Sequence, residues 1–204
     1  MTSFATRTIG HYLEALAAPT PAPGGGSVAG LVGALAASLG RMVANLTDQA
    51  APHPALASAS EKLAGVTTNL LAAAEQDESC YPAYLAASRL PKATAAEKAA
   101  RREAMQDAIV HAAEVPLGLA TSGAEVLALL EPVAREGTAH AASDTAIGIN
   151  LAEAAVIAAL SNVRGNIPLI KHAPTAERFT VAANSLESRA TSQAARLREF
   201  LTSR

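Results

Sequence analysis

Groups able to do chemistry are scarce in this chain and gather at the ends of apolar runs. Gly24, Gly25, Gly26 and Ser27, within "TPAPGGGSVAG" (residues 20–30), stand directly ahead of one such run. At a helix N-terminus, glycines leave backbone N–H groups uncovered beside the positive end of the dipole. That is a place for an anionic or oxyanion-bearing ligand. The same residues also suit a tight turn between closely packed helices, and the lysine and spacing of a nucleotide P-loop are missing. Asp144 opens a second apolar run, where a carboxylate can serve as an N-cap worth about 1 kcal/mol. Asp77 lies in "AEQDESCY" (74–81) with Glu75 and Glu78, and three such acids cannot share one helical face. Asn45, Asn162 and Asn166 close the two most apolar runs, a costly place for an unpaired amide. Each must bond to a helix end or to a ligand.

Two other groups read as structural. Asp107, His111 and Glu114 lie along one helix face, but a carboxylate-bundle metal site needs matching ligands from other helices. None is evident, so a solvated face is expected and no metal. Cys80 has no neighbour that would activate it and reads as a small buried residue. A single cysteine excludes an internal disulfide framework and suits a reducing cytosol.

The elements that must position these residues are helices. Half of the 204 residues are hydrophobic but only 3% are aromatic, and about a quarter are alanine, the strongest helix former. The length suits one domain covering 1–204, all-α, built as an antiparallel multi-helix bundle of six to nine helices. Residues 27–47 and 145–163 are apolar on nearly every side and are expected to be its central pair. Ser27 is expected to cap the first of them, Ser143 or Asp144 the second, and Thr175 to open the last helix. A first helix is expected over Phe4–Leu16. Pro82 and Pro116 are expected to kink or divide their helices, Pro132 leaves open where the segment from Leu117 to about Arg135 ends, and "TAAE" (94–97) is a capping box. The run after Ser27 meets Arg41 after about 14 residues, short of the roughly 20 a membrane span needs. A net charge of −2 argues against non-specific nucleic-acid binding. A soluble cytoplasmic protein without a signal peptide is expected.

Several motifs in one register carry a family resemblance. "PTPAPGGGSVAG" with "MVANLT" (42–47) is followed by Asp77 four before Tyr81, "LPK" (90–92), "EKAAR" (97–101) and "VPL" (115–117). "SDTAIG" (143–148) and "NVRGNI" (162–167) complete the series. Together they resemble the cyclodeaminase/cyclohydrolase family over about residues 4–200. The resemblance implies an all-helical homodimer acting on one-carbon tetrahydrofolate derivatives, with no metal or organic cofactor.

Two reactions follow from that resemblance. One is hydrolysis of 5,10-methenyltetrahydrofolate to 10-formyltetrahydrofolate. The other is cyclisation of 5-formiminotetrahydrofolate with loss of ammonia. Both pass through a tetrahedral carbon beside a cationic amidine, so the site needs a carboxylate, positioning amides and exclusion of water. The resemblance implies Asp144 as first candidate for the carboxylate and Asp77 as second. Gly24–Gly26, Ser27, Asn45 and Asn162 would bind substrate, with Arg164 or Lys92 gripping its glutamate tail.

The sequence departs from the pattern twice. The lysine-rich stretch expected after "NLT" reads "DQAAPHPALA", leaving His53, Arg41 or Lys171 as substitutes. The asparagine expected six residues before Asp144 is Thr138, and His140 is added. A catalytically silent homologue that binds a folate or a partner protein as a helical dimer is the alternative.

Overall fold

The computed structural model describes residues 3–203. Six α-helices carry the fold: α1 (Ile9–Ala17), α2 (Gly25–Ala50), α3 (Pro54–Ser88), α4 (Ala95–Glu136), α5 (Ala142–Asn166) and α6 (Ala173–Thr202). Short 3₁₀ turns stand at Phe4–Thr6, Ala139–Ala141 and Ile167–Leu169, and no strand occurs among the described residues. The expected first helix is therefore two pieces, with Thr8 capping α1 through the His11 N–H.

Small residues decide how α2 sits. A methyl group on Gly30 would stand 2.8 Å from Ala74 Cβ and 2.9 Å from the Leu70 carbonyl oxygen, so α3 approaches α2 at backbone distance. On its other side α2 meets α5 running the opposite way. Gly25 faces Asn162, Gly33 faces Ala155, and Gly148 packs on Ala36 and Leu39. One apolar cluster, including Val43, Leu63, Leu127, Ile149, Leu160 and Phe179, joins α2 to α6. A smaller one seats Phe4 and Tyr12 against Ala74.

Several local expectations are corrected. Pro82 lies inside a continuous α3, and Pro116 and Pro132 lie inside a continuous α4. Each costs a backbone hydrogen bond. The buried residues on both sides of Pro116, from Ile109 to Leu130, hold α4 in one piece. No side chain caps α2 or α5: α2 starts from Gly24, one turn earlier than expected, and α5 starts from Ala141. Ser27 donates back to the Gly24 carbonyl, and Asp144 sits in the first turn of α5, where its charge favours the dipole. The last helix opens at Ala173 behind His172, which pairs with Thr175 at 2.8 Å. The Thr94–Glu97 capping box forms as read.

The length argument against a membrane span does not hold either, because Arg41 does not end its helix. By length and composition alone, Gly25–Ala50, Ala95–Glu136 and Ala139–Leu169 are each sufficient to cross a membrane. In the fold, 56%, 56% and 44% of their apolar windows are buried.

Candidate active site

The N-terminus of α2 opens into a cleft of about 310 Å³ between α3, α4 and the C-terminal end of α5. Gly24, Gly25 and Gly26 form its floor, and Asn162 and Asn166 come from α5. Asp77, Cys80, Tyr81 and Tyr84 come from α3. Among the described residues, Asp77 is its one carboxylate and no lysine or arginine lines it.

Asp77 is set against the start of α2. Its carboxylate occupies the space that a Cβ on Gly26 would fill, so this position admits only glycine while Asp77 stays in place. Burial pushes the Asp77 carboxyl above its ordinary value. A hydrogen bond from the Ser27 N–H opposes that shift, and the neighbouring Glu78 charge adds to it. Ser27 is fully buried, and its hydroxyl donates to the Gly24 carbonyl at 2.9 Å. Its proton is thereby spent, so the hydroxyl of buried Tyr12, 3.0 Å away, donates to Ser27 Oγ. The N–H groups of Gly25 and Gly26, in the first turn, lack partners within the helix. Arg7 holds Glu78 through two hydrogen bonds of 2.8 and 2.7 Å, leaving Asp77 as the acid that reaches the cleft.

Pro116 explains Asn166. Proline has no N–H, so it leaves the carbonyl four residues back, on Ala112, without its helical partner. Asn166 Nδ2 fills that role at 2.8 Å and also donates to the Asn162 carbonyl at 3.1 Å. Both Nδ2 hydrogens are then used, and the side-chain oxygen remains as an acceptor. Asn162 Nδ2 donates to the Ala158 carbonyl at 3.3 Å, and its side chain lies 3.3 Å from where a Gly25 Cβ would be. Cys80 is buried, with its thiol pushed up to about 11 by burial and by Asp77, so it stays protonated at neutral pH.

The remaining candidates lie elsewhere. Asp144 precedes Asn162 on α5 by about five turns, roughly 27 Å along the axis, and Asn45 lies roughly 30 Å from Gly25 along α2. Neither lines the cleft. Asn45 is exposed rather than buried and accepts from Ser60 at 2.6 Å. Arg164 is committed to Glu187 at 2.6 Å and to Asn184 at 3.1 Å, on α6. Lys92, Lys171, Arg41 and His140 are exposed, and His53 lies 3.7 Å from Glu136. Glu114 pairs with Arg178 and His111 with Gln76, as a solvated face would. Tyr84 and the Tyr12–Ser27 pair were not singled out from sequence. Asp77, Tyr81 and Tyr84 recur at spacings of four and three, a signal that could have found Tyr84.

A family model described as formiminotransferase-cyclodeaminase matches residues 8–185. The chain belongs to that family. One relative, the methenyltetrahydrofolate cyclohydrolase of Methylorubrum extorquens, is 36% identical over 163 residues, covering 78% of each chain. The formimidoyltransferase-cyclodeaminase of Gallus gallus is 31% identical over 90% of this chain, which spans only 34% of that relative's length. A solved structure, formiminotetrahydrofolate cyclodeaminase from Thermotoga maritima, superposes with a TM-score of 0.87 over 98% of both chains at 23% identity. The formiminotransferase-cyclodeaminase fold is thus all-helical here as well, and its cleft is built from the glycine turn and the helix-end amides.

Proposed function

We propose that the cleft binds a one-carbon-substituted tetrahydrofolate and that the reaction is hydrolysis of 5,10-methenyltetrahydrofolate to 10-formyltetrahydrofolate. The observation that carries this reading is Asp77: a half-buried carboxylate with a raised pKa, in a cleft that no cationic side chain lines among the described residues. Such a site favours a cationic substrate, and the raised carboxyl is a stronger base than an ordinary aspartate, which suits it to proton transfer. The cyclohydrolase of Methylorubrum extorquens, matched over 78% of its own length, supports hydrolysis ahead of cyclodeamination.

In this mechanism water attacks the methenyl carbon while Asp77 takes one of its protons, giving a neutral carbinolamine. Asp77 then returns that proton to N5 as the carbon–N5 bond breaks. The hydroxyl proton leaves to solvent and the formyl group stays on N10, for a net release of one proton. The oxygens of Asn162 and Asn166 orient the cation. The free N–H groups of Gly25 and Gly26 face oxygen as negative charge develops on it. Tyr81 and Tyr84 cover the ring system. The reading includes a cytoplasmic protein working as a homodimer without metal or organic cofactor, with neither nucleic acid nor membrane as partner.

The test follows the near-ultraviolet absorbance of 5,10-methenyltetrahydrofolate with purified protein, against its spontaneous decay. Acceleration is expected, and Asp77→Asn should lower it by about 10²–10⁴-fold. Loss of ammonia from the formimino substrate without hydrolysis of the methenyl substrate would move the reaction to cyclodeamination. No turnover of either, with a reduced folate still bound, would leave the silent homologue.

A further inference from the structure

Pro82, Pro116 and Pro132 all lie inside helices, and the cleft makes use of one of them. Pro82 is exposed and Pro132 half-buried, whereas Pro116 is buried. The carbonyl that Pro116 leaves without a helical partner belongs to Ala112, which lines the cleft. Asn166, at the end of α5, lines the same cleft and donates to that carbonyl at 2.8 Å.

A side-chain amide has a donating end and an accepting end, and this contact decides which end a ligand meets. Both Nδ2 hydrogens of Asn166 are engaged, on the Ala112 and Asn162 carbonyls. Turning the amide over would set Oδ1 against the Ala112 oxygen and leave that carbonyl without a donor. Such a loss amounts to about tenfold or more in the folding equilibrium. Asn162 has no comparable lock. Its Nδ2 reaches the Ala158 carbonyl at 3.3 Å, and that oxygen already takes the Asn162 backbone N–H within α5. An acceptor oxygen fixed before binding favours positive charge on the ligand and needs no reorganisation when the ligand arrives. An amide free to turn over would present Nδ2 as readily, and a donor repels such a charge.

We infer that Pro116 is a positioning residue: by withholding an N–H from Ala112 it fixes the Asn166 amide with Oδ1 toward the ligand, and so selects the cationic methenyl form of the folate over the neutral formyl form. Pro116 does not itself line the cleft and acts through Asn166 alone. The inference deepens the folate reading, and only its ligand arm rests on that reading.

The lock can be read without a ligand. Asn166→Asp keeps the shape of the side chain and removes its donor. With Pro116 in place, it should shift the folding equilibrium toward the unfolded chain by about tenfold or more in denaturant melts. In a Pro116→Ala chain the new backbone N–H takes the Ala112 carbonyl, so the same substitution should cost much less. Repulsion between the introduced carboxylate and Asp77 is present in both backgrounds and cancels in the comparison. Equal costs in the two backgrounds would overturn the inference. The ligand arm uses Pro116→Ala alone. Its KM for 5,10-methenyltetrahydrofolate should rise by about tenfold, as a lost hydrogen-bonding group facing a charge does. The inhibition constant of 10-formyltetrahydrofolate should stay near its wild-type value. A general loosening of the helix would raise both constants alike, and that result, or an unchanged KM, would overturn the inference. A wild-type chain that turns over neither folate substrate, with the two melting costs still unequal, would sink the folate reading and leave Pro116 as the residue that sets the amide.

Discussion

The two ends of the α2–α5 pair carry motif residues of similar type but are built differently. At the Gly24–Gly26 end, backbone and side chains converge: Ser27 on Gly24, Asp77 on the α2 start, Asn166 on the carbonyl that Pro116 leaves open. At the Asn45–Asp144 end, the polar groups serve the surface. Thr138 donates its N–H to Thr47 Oγ1 at 2.9 Å, Asn45 takes the Ser60 hydroxyl, and Asp144 rests in the first turn of its helix. The first end brings its motif residues to the Asp77 cleft and the second does not. Identical residue types at helix ends thus acquire different roles according to what packs over them.

That contrast can be broken first at Gly26. Gly26→Ala places a methyl group on the Asp77 carboxylate and should remove most activity, at a stability cost of about 1–3 kcal/mol. Gly118→Ala, in open space on α4, should instead stabilise by about 0.4–1 kcal/mol. Denaturant melts and initial rates of both variants decide it, and equal effects would erase the distinction. Asn166→Leu comes next. It leaves the Ala112 carbonyl unpaired, at a cost of about 1–3 kcal/mol. Adding Pro116→Ala restores a backbone N–H for that carbonyl, so the double variant should recover stability without recovering turnover.

A smaller effect concerns pH. The carboxyl of Asp77 is raised in the folded chain, so the neutral form is favoured there. Its stability contribution is therefore present below the ordinary aspartate range, about 4, and is lost as pH rises through the folded value. Asp77→Asn should melt above wild type at neutral pH, and the gap should close in acid. A gap that persists below that range would point to a cause other than ionisation. The smallest expected shift is at Arg7. Arg7→Gln leaves Glu78 unpaired beside Asp77, so the acid limb of the rate profile should move to higher pH, and Glu78→Gln should move it lower. An unchanged limb in both would show that the pair only anchors the N-terminal segment.

Much of this molecule is legible in its sequence because the signals are local. Alanine content and apolar periodicity give the helices, Thr94 and Glu97 mark one start, and the glycine triplet marks where a backbone must come close. The ordered motifs give the family. Whether a proline ends a helix is not local, since packing on both sides of Pro116 outweighs the missing bond. Nor is the choice between two aspartates. Asp77 and Asp144 both read as acids near apolar helices, and Asp144 even looked the better placed. What separates them is that α3 and α5 both run antiparallel to α2, which lays Asp77 of α3 on Gly26 and puts the end of α5, not its start, beside the start of α2. Only that packing decides which carboxylate meets Gly26 and which is left about five turns away.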